Sequence, residues 1–257
     1  MANARQFLAA RTAAWAKSGG GSPTARDYVQ DGLIAMWDGI ENAGWGVHDA
    51  NATAWSNLSG IGDATLTGAG NYLKWENNRL KVFTFSSNGS SYVTFPSGSI
   101  PSSARTIEMV FFYVNGGRYS RIIQSNRDSD GPEDNIMLNY NGVESSSSAV
   151  LAARLGQGQI NSNLTISKYV INSVGFAVSS ANDFKFWVNS NGSAISVYNN
   201  FIRVLSSSLR CGISKDRASS ANKSDLYVYN LRFYDHKITD AERAANYAVD
   251  KARFGLT

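Results

Sequence analysis

The chain has 257 residues, a net charge of +4, one Cys, two His, 17% charged and 12% aromatic residues. The lone Cys211 excludes an internal disulfide and a thiolate zinc site, and two histidines exclude a histidine-rich metal centre. The basic residues are scattered and no apolar window reaches the length of a membrane-spanning helix, so neither nucleic acid nor membrane insertion is expected.

The chain opens with an alanine-rich segment, 2–17, that predicts a helix about 24 Å long. Phe7, Leu8 and Trp15 give it an apolar side, while Arg5, Arg11 and Lys17 keep the remainder wet. A helix this short is marginal alone, so those three side chains need a cover. Two covers remain open: the helix folds back onto its own domain, or it docks into a neighbouring subunit. Ser18-Gly19-Gly20-Gly21-Ser22-Pro23 follows as a flexible linker, and residues 1–23 are set apart from a domain at 24–257. No secretory leader is read at the amino terminus, because no apolar stretch with a small-residue cleavage site follows the basic residues.

From Tyr28 onward the pattern is mostly period two. Strands are predicted at 79–85, 92–95, 105–114, 120–124, 136–140, 150–155, 169–178, 184–188, 194–198 and 225–234. Asn191-Gly192 reads as a two-residue hairpin turn. In the last strand Tyr227, Tyr229, Leu231 and Phe233 share one face by simple alternation. Gly, Ser and Asn fill the connections and no crossover helices intervene, which implies an all-β fold of two antiparallel sheets. Thr239-Asp240-Ala241-Glu242 is a capping box that starts a helix over 239–254, with Gly255 as its stop.

Three stretches resemble laminin-G-like domains of the concanavalin A-like lectin and glucanase superfamily. The first is Asp31-Gly-Leu-Ile-Ala-Met-Trp-Asp38 followed by Trp55-Ser-Asn-Leu-Ser-Gly-Ile-Gly62. The second is Phe184-Lys-Phe-Trp-Val-Asn-Ser-Asn-Gly192. The third is Leu226-Tyr-Val-Tyr-Asn-Leu-Arg-Phe-Tyr234 with Ile238-Thr-Asp-Ala-Glu242. The resemblance implies a jelly-roll sandwich serving glycan binding, adhesion or assembly. Asn57 stands where the family turn carries Asp, which weakens any inference of calcium at that turn.

Glucanases of that fold need two carboxylates flanking the scissile bond, and none of the six Glu residues makes the in-strand acidic pattern. Glu108 is the one Glu well inside a strand, and it has no acidic partner two residues away. The chain therefore reads as a non-enzyme. Asp128, Asp130, Glu133 and Asp134 form the one acidic cluster; it is either a solvated loop or a weak calcium site, and no other cofactor is expected. Trp45, His48 and Trp55 lie in a long irregular stretch, where a Trp either fills space beneath the loop or stacks on a sugar ring. Arg118, Tyr119 and Arg121 form a second polar-aromatic group.

A glycan-binding fold on a chain that begins with Met1 and shows no leader leads to the expectation of a bacteriophage virion component: a head fibre, decoration or tail-associated protein made in the host cytoplasm. In that reading the jelly roll contacts host-surface glycans, the amino-terminal helix joins other subunits, and the protein is oligomeric in the assembly. Two alternatives stay open: a cementing module without sugar binding, and a carbohydrate-binding protein of a bacterial surface.

Overall fold

Alternating apolar residues and Gly/Asn turns build strands that pair antiparallel throughout. The computed structural model describes residues 22–256 apart from 61, 69, 84, 89, 97–103, 117–120, 126–136, 142–147, 156–157, 181–182, 196–208 and 212–222. In chain order the strands are β1 (Leu33–Asp38), β2 (Ala54–Trp55), β3 (Ala64–Thr67), β4 (Leu73–Glu76), β5 (Arg79–Phe83), β6 (Tyr92–Thr94), β7 (Thr106–Gly116) and β8 (Arg121–Ser125). They continue as β9 (Met137–Asn141), β10 (Ser148–Leu155), β11 (Gly158–Ser167), β12 (Ile171–Ser180), β13 (Asp183–Val188), β14 (Asn191–Ile195), β15 (Leu209–Cys211) and β16 (Ser224–Tyr234). One sheet runs β14-β13-β12-β7-β16-β5-β4, with β1 also paired to β16. The other runs β11-β10-β9-β8-β15-β6-β3-β2. The expected antiparallel sandwich is the fold. The short strands β2, β3, β4 and β15 and the long β11 were absent from the sequence expectation. The first four carry too few residues to establish a period, and β11 is rich in Asn, Ser and Gly.

The sheets meet across a core filled from both sides. Ile107, Met109, Phe111 and Tyr113 of β7 and Leu226, Val228, Leu231 and Phe233 of β16 face Val93, Ile123, Leu151 and Ile166 of the second sheet. Trp37 sits near the centre, edge-on to Phe95 at 4.6 Å and to Phe233 at 6.1 Å between ring centroids. Such edge-to-face packing sets the positive rim of one ring against the negative face of the next.

Two details depart from strict alternation. The pairing of β16 with β7 slips between Val228 and Asn230, leaving Tyr229 as the extra residue of a bulge. A bulge reverses the faces beyond it. Leu231 and Phe233 therefore join Leu226 and Val228 in the core, and Tyr227 and Tyr229 join Arg232 and Tyr234 on the outer face. The hairpin turn is also displaced: Val188 pairs with Asn191 and Trp187 with Gly192, so Asn189-Ser190 make the turn. Asn189 takes φ +54°, a left-handed conformation that Asn tolerates well among non-glycine residues.

The outer face of the first sheet is half covered. The helix α1 (Asp240–Phe254) forms as the sequence predicts. Thr239 Oγ1 accepts from the Glu242 amide at 3.3 Å, and the Glu242 carboxylate accepts from the Thr239 amide at 2.7 Å. At the other end Gly255 is left-handed at φ +70° and its N–H donates to Lys251. Val249 packs with Ala25, Tyr28, Met36 and Leu58; Ala245 with Val29, Ala177, Trp187 and Tyr234; Phe254 with Val110 and Tyr229. Gly175 has a definite reason to be glycine: a Cβ there would lie 2.4 Å from the Trp187 ring and 2.6 Å from the Ile107 carbonyl oxygen.

Candidate functional site

Beneath α1 lies a buried polar layer. Arg232 donates through Nη1 and Nη2 to the two oxygens of Asp250 at 2.7 and 3.0 Å, and through Nε to Glu108 at 3.2 Å. Asn246 donates to Glu108 at 2.6 Å and accepts from the Val29 amide at 2.9 Å. Ser173 donates to Asp250 at 2.8 Å. Beside this group Arg253 donates to Asp38 at 2.8 Å, and Glu41 accepts from the Ala25 amide at 2.7 Å. The Tyr28 ring lies between the guanidinium groups, with Arg232 at 4.0 Å and Arg253 at 5.4 Å from its centroid. These bonds fasten the Thr24–Gln30 segment and α1 to the sheet.

Burial pushes the Glu108 carboxyl up to about 7; the charge of Asp250 adds to the rise, while Arg232 and Asn246 oppose it. A carboxyl that titrates near neutrality is a general-acid candidate when it lines a cleft. Glu108 is 1% exposed and covered by α1, so no substrate touches it. It is a fastening, and its titration has a consequence for stability. A carboxyl raised in the folded state holds its proton more tightly there than in the unfolded chain. Its contribution is complete below about pH 4.5 and is lost as pH rises through about 7. Thermal denaturation is expected to show this component of stability declining between pH 5 and pH 8. Glu108→Gln, which cannot ionise, is expected to flatten that decline; an unchanged profile in the variant would contradict it.

The other half of the outer face is aromatic and, among the described residues, only partly covered: Ile171, Phe112 and Tyr227 pack against Val110, Tyr229, Phe254 and Leu256 and stay half-buried. Ile171, Phe112, Tyr227, Lys81 and Lys74 stand opposite one another in one row across β12, β7, β16, β5 and β4. Phe83 meets Tyr227 edge-on at 5.3 Å, and Phe112 meets it at 6.0 Å. The Arg79 guanidinium lies 3.9 Å from the Tyr227 ring centroid and donates to the Tyr229 hydroxyl at 2.9 Å. Lys81 Nζ is 4.4 Å from the Phe83 centroid. Glu76 is shared by three cations: Lys74 at 3.2 Å, Arg79 at 3.9 Å and Lys81 at 4.0 Å. Tyr227 bonds the same carboxylate, and its hydroxyl is pushed above the ordinary tyrosine range, first by burial and then by Glu76. Phe83, Phe112, Tyr227, Arg79 and Lys81 are all half-buried, so each keeps part of its surface in water. Sequence reading misses this patch, because its members come from five strands that are neighbours only in the folded sheet.

The residues singled out from the sequence have different fates. Trp55 is fully buried, edge-on to Trp75 at 5.6 Å, and its Nε1 donates to the Asp38 carbonyl at 2.9 Å. It offers no ring face to a sugar, which corrects its place among the stacking candidates. Trp45 is half-buried, with the Arg26 guanidinium 4.3 Å from its ring centroid. His48 is exposed, with Nδ1 3.0 Å from the Ile40 carbonyl oxygen. Trp45, His48 and Trp55 thus occupy three different environments. Asn57 Oδ1 accepts from the amides of Met36, Ser59 and Gly60 at 3.1, 3.3 and 3.0 Å, so it is a turn fastener. Arg121 opens β8 opposite Asn139. Phe7, Leu8, Trp15, Arg118, Tyr119, Asp128, Asp130, Glu133 and Asp134 lie outside the described residues. Among the described residues no group of three or more His, Cys, Asp or Glu could hold a metal ion.

No protein-family model and no curated protein matches the chain. Solved structures do resemble it. Domain 4 of AbnA, a GH43 extracellular arabinanase from Geobacillus stearothermophilus in complex with arabinotriose, aligns with a TM-score of 0.58 at 14% identity over 86% of this chain and 98% of that one. Trypanosoma rangeli sialidase in complex with sialic acid aligns with a TM-score of 0.63 at 12% identity over 96% of this chain and 39% of the sialidase. The binding domain of Botulinum Neurotoxin DC in complex with SialylT aligns with a TM-score of 0.56 at 11% identity over 87% of this chain and 52% of that one. The chain thus spans about two-fifths of the sialidase and about half of the toxin domain. At these identities the likeness is one of fold: this chain is a β-sandwich of the shape found in those proteins.

Proposed function

We propose that this chain is a non-catalytic carbohydrate-binding β-sandwich whose sugar contact is the aromatic half of the outer face, centred on Tyr227. One observation carries the reading: Phe83, Tyr227 and Phe112 form an aromatic row with charged donors at its edge, half-buried among the described residues beside a sheet half that α1 covers. Aromatic faces accept the apolar CH face of a sugar ring, and flanking polar groups bind its hydroxyls. The fold supports the reading, since the similar arabinanase, sialidase and neurotoxin structures were solved with arabinotriose, sialic acid and SialylT. The burial of Glu108 against Arg232 supports a binding rather than a catalytic role. On a glycan array the full chain is expected to bind at least one saccharide class. Tyr227→Ala is expected to weaken that binding at least about tenfold, the loss of one stacking contact, with the thermal transition retained. An array without a hit would end the proposal.

We further propose the assembly role expected from the sequence: a phage virion component, with the helix carrying Phe7, Leu8 and Trp15 docked into a neighbouring subunit. The apolar stripe followed by a Gly/Ser linker supports this reading. Removing residues 1–23 leaves Thr24 capping its own turn, Ala25 bonded to Glu41, Val29 bonded to Asn246 of α1 and Tyr28 stacked on Arg232 of β16. The truncated protein is therefore expected to fold and to be lost from purified particles. Normal incorporation would refute the anchor. A cementing module and a bacterial surface protein are the alternatives that particle fractionation and the array together separate.

A further inference from the structure

We propose that the Tyr227 face selects acidic saccharides, those carrying carboxylate groups; this rests on the saccharide-binding reading above. The inference comes from charge and preorganisation. Three cations, Lys74, Arg79 and Lys81, surround the carboxylate of Glu76, and the Asp225 carboxylate, held by Ser86, also acts on Lys81, so three positive charges face two negative ones and this corner keeps a net positive excess. Arg79 does not wander: its guanidinium is stacked on Tyr227 at 3.9 Å and tied through Nη1 to the Tyr229 hydroxyl at 2.9 Å. Lys81 is held over Phe83 at 4.4 Å, its side chain 15% exposed. Lys74, with a side chain 46% exposed, reaches solvent from the edge strand β4. Much of the ordering cost of these long side chains is met before a ligand arrives, which is the condition under which a charge-assisted bond adds affinity. A sugar ring docked on this face beside Arg79 and Lys81, which lie over the Tyr227 and Phe83 rings, would place a ring carboxylate within this cationic corner. A polynucleotide fits less well, because the cations form one cluster and do not run along a groove that could follow a phosphate backbone.

The test uses the full chain in affinity electrophoresis at low salt. The probes are polygalacturonate, polysialic acid and hyaluronan, each beside its carboxyl-reduced neutral counterpart, with a single-stranded oligonucleotide as a further probe. Retardation by at least one acidic polymer, at least about tenfold stronger than by its reduced counterpart and falling with added salt, is the expected result. The double variant Arg79→Gln/Lys81→Gln is expected to abolish that preference while leaving the thermal transition within a few degrees of the parent. Lys81→Glu serves as a second variant, with the same expected loss. Equal binding of acidic and reduced polymers overturns the charge inference and leaves the saccharide reading standing. Binding to none of the polymers overturns the charge inference, and the saccharide reading falls with it only when the glycan array is also empty. Tighter binding to the oligonucleotide than to every saccharide also overturns both.

Discussion

Arg232→Ala is expected to destabilise the sandwich by about 3–5 kcal/mol, the usual cost of breaking a fully buried ion pair from one side. Arg232 is completely buried and is the common partner of Glu108 and Asp250. Removing it leaves two carboxylates beneath α1 without the cation that bonds both, with only the charge of Arg253 still acting on Asp250. The Tyr28 ring also loses the guanidinium stacked on it. Thermal denaturation should show a fall of roughly 2–4 °C for each kcal/mol in a chain of this size. The loss should be smaller at acid pH, because protonated Glu108 needs the cation less. A loss that does not shrink at acid pH would mean that side-chain packing, and not uncompensated charge, is what Arg232 supplies. Replacing Arg232, Glu108 and Asp250 together by apolar residues of similar volume is expected to recover much of the stability.

Trp55→Ala is expected to cost about 3–5 kcal/mol as well, through a cavity and a lost buried donor. The Trp55 ring is enclosed with Trp75, and its indole N–H is the donor to the Asp38 carbonyl. Asp38 in turn accepts from Arg253 and Asn230, so the substitution reaches the polar layer from the core side. A sugar-stacking Trp in a loop would behave differently: its removal would leave the melting transition unchanged and abolish ligand binding. Denaturant unfolding of the variant separates the two. Tyr227→Ala, in contrast, is expected to lose binding with its transition retained. The pair of variants therefore distinguishes a core aromatic from a surface one of similar hydrophobicity.

Much of the local structure was legible before any coordinates. The strands expected at 79–85, 92–95, 105–114 and 225–234 from residue type and period are observed at 79–83, 92–94, 106–116 and 224–234. The carboxy-terminal helix follows from its Thr239/Glu242 capping box and Gly255. The candidate site was hardly legible. Lys81, Phe83, Phe112 and Tyr227 each look like an ordinary strand residue, and only sheet pairing sets them side by side. Glu108 was visible as an isolated acid, but its partners Arg232, Asn246 and Asp250 lie more than a hundred residues away in the chain.

The amino-acid sequence alone determined that this chain is β-rich, poor in Cys and His, and provided with a capped helix near its last residue. Those properties rest on residue type and short-range periodicity, which a linear pattern carries in full. Tertiary structure decided which face each residue serves. A single extra residue at Tyr229 turned Leu231 and Phe233 inward and Arg232 outward, because strand faces alternate and a bulge inverts everything beyond it. Packing also decided that Trp55 belongs to the core and Tyr227 to the surface, because burial depends on what covers a residue and α1 closes only half of the sheet.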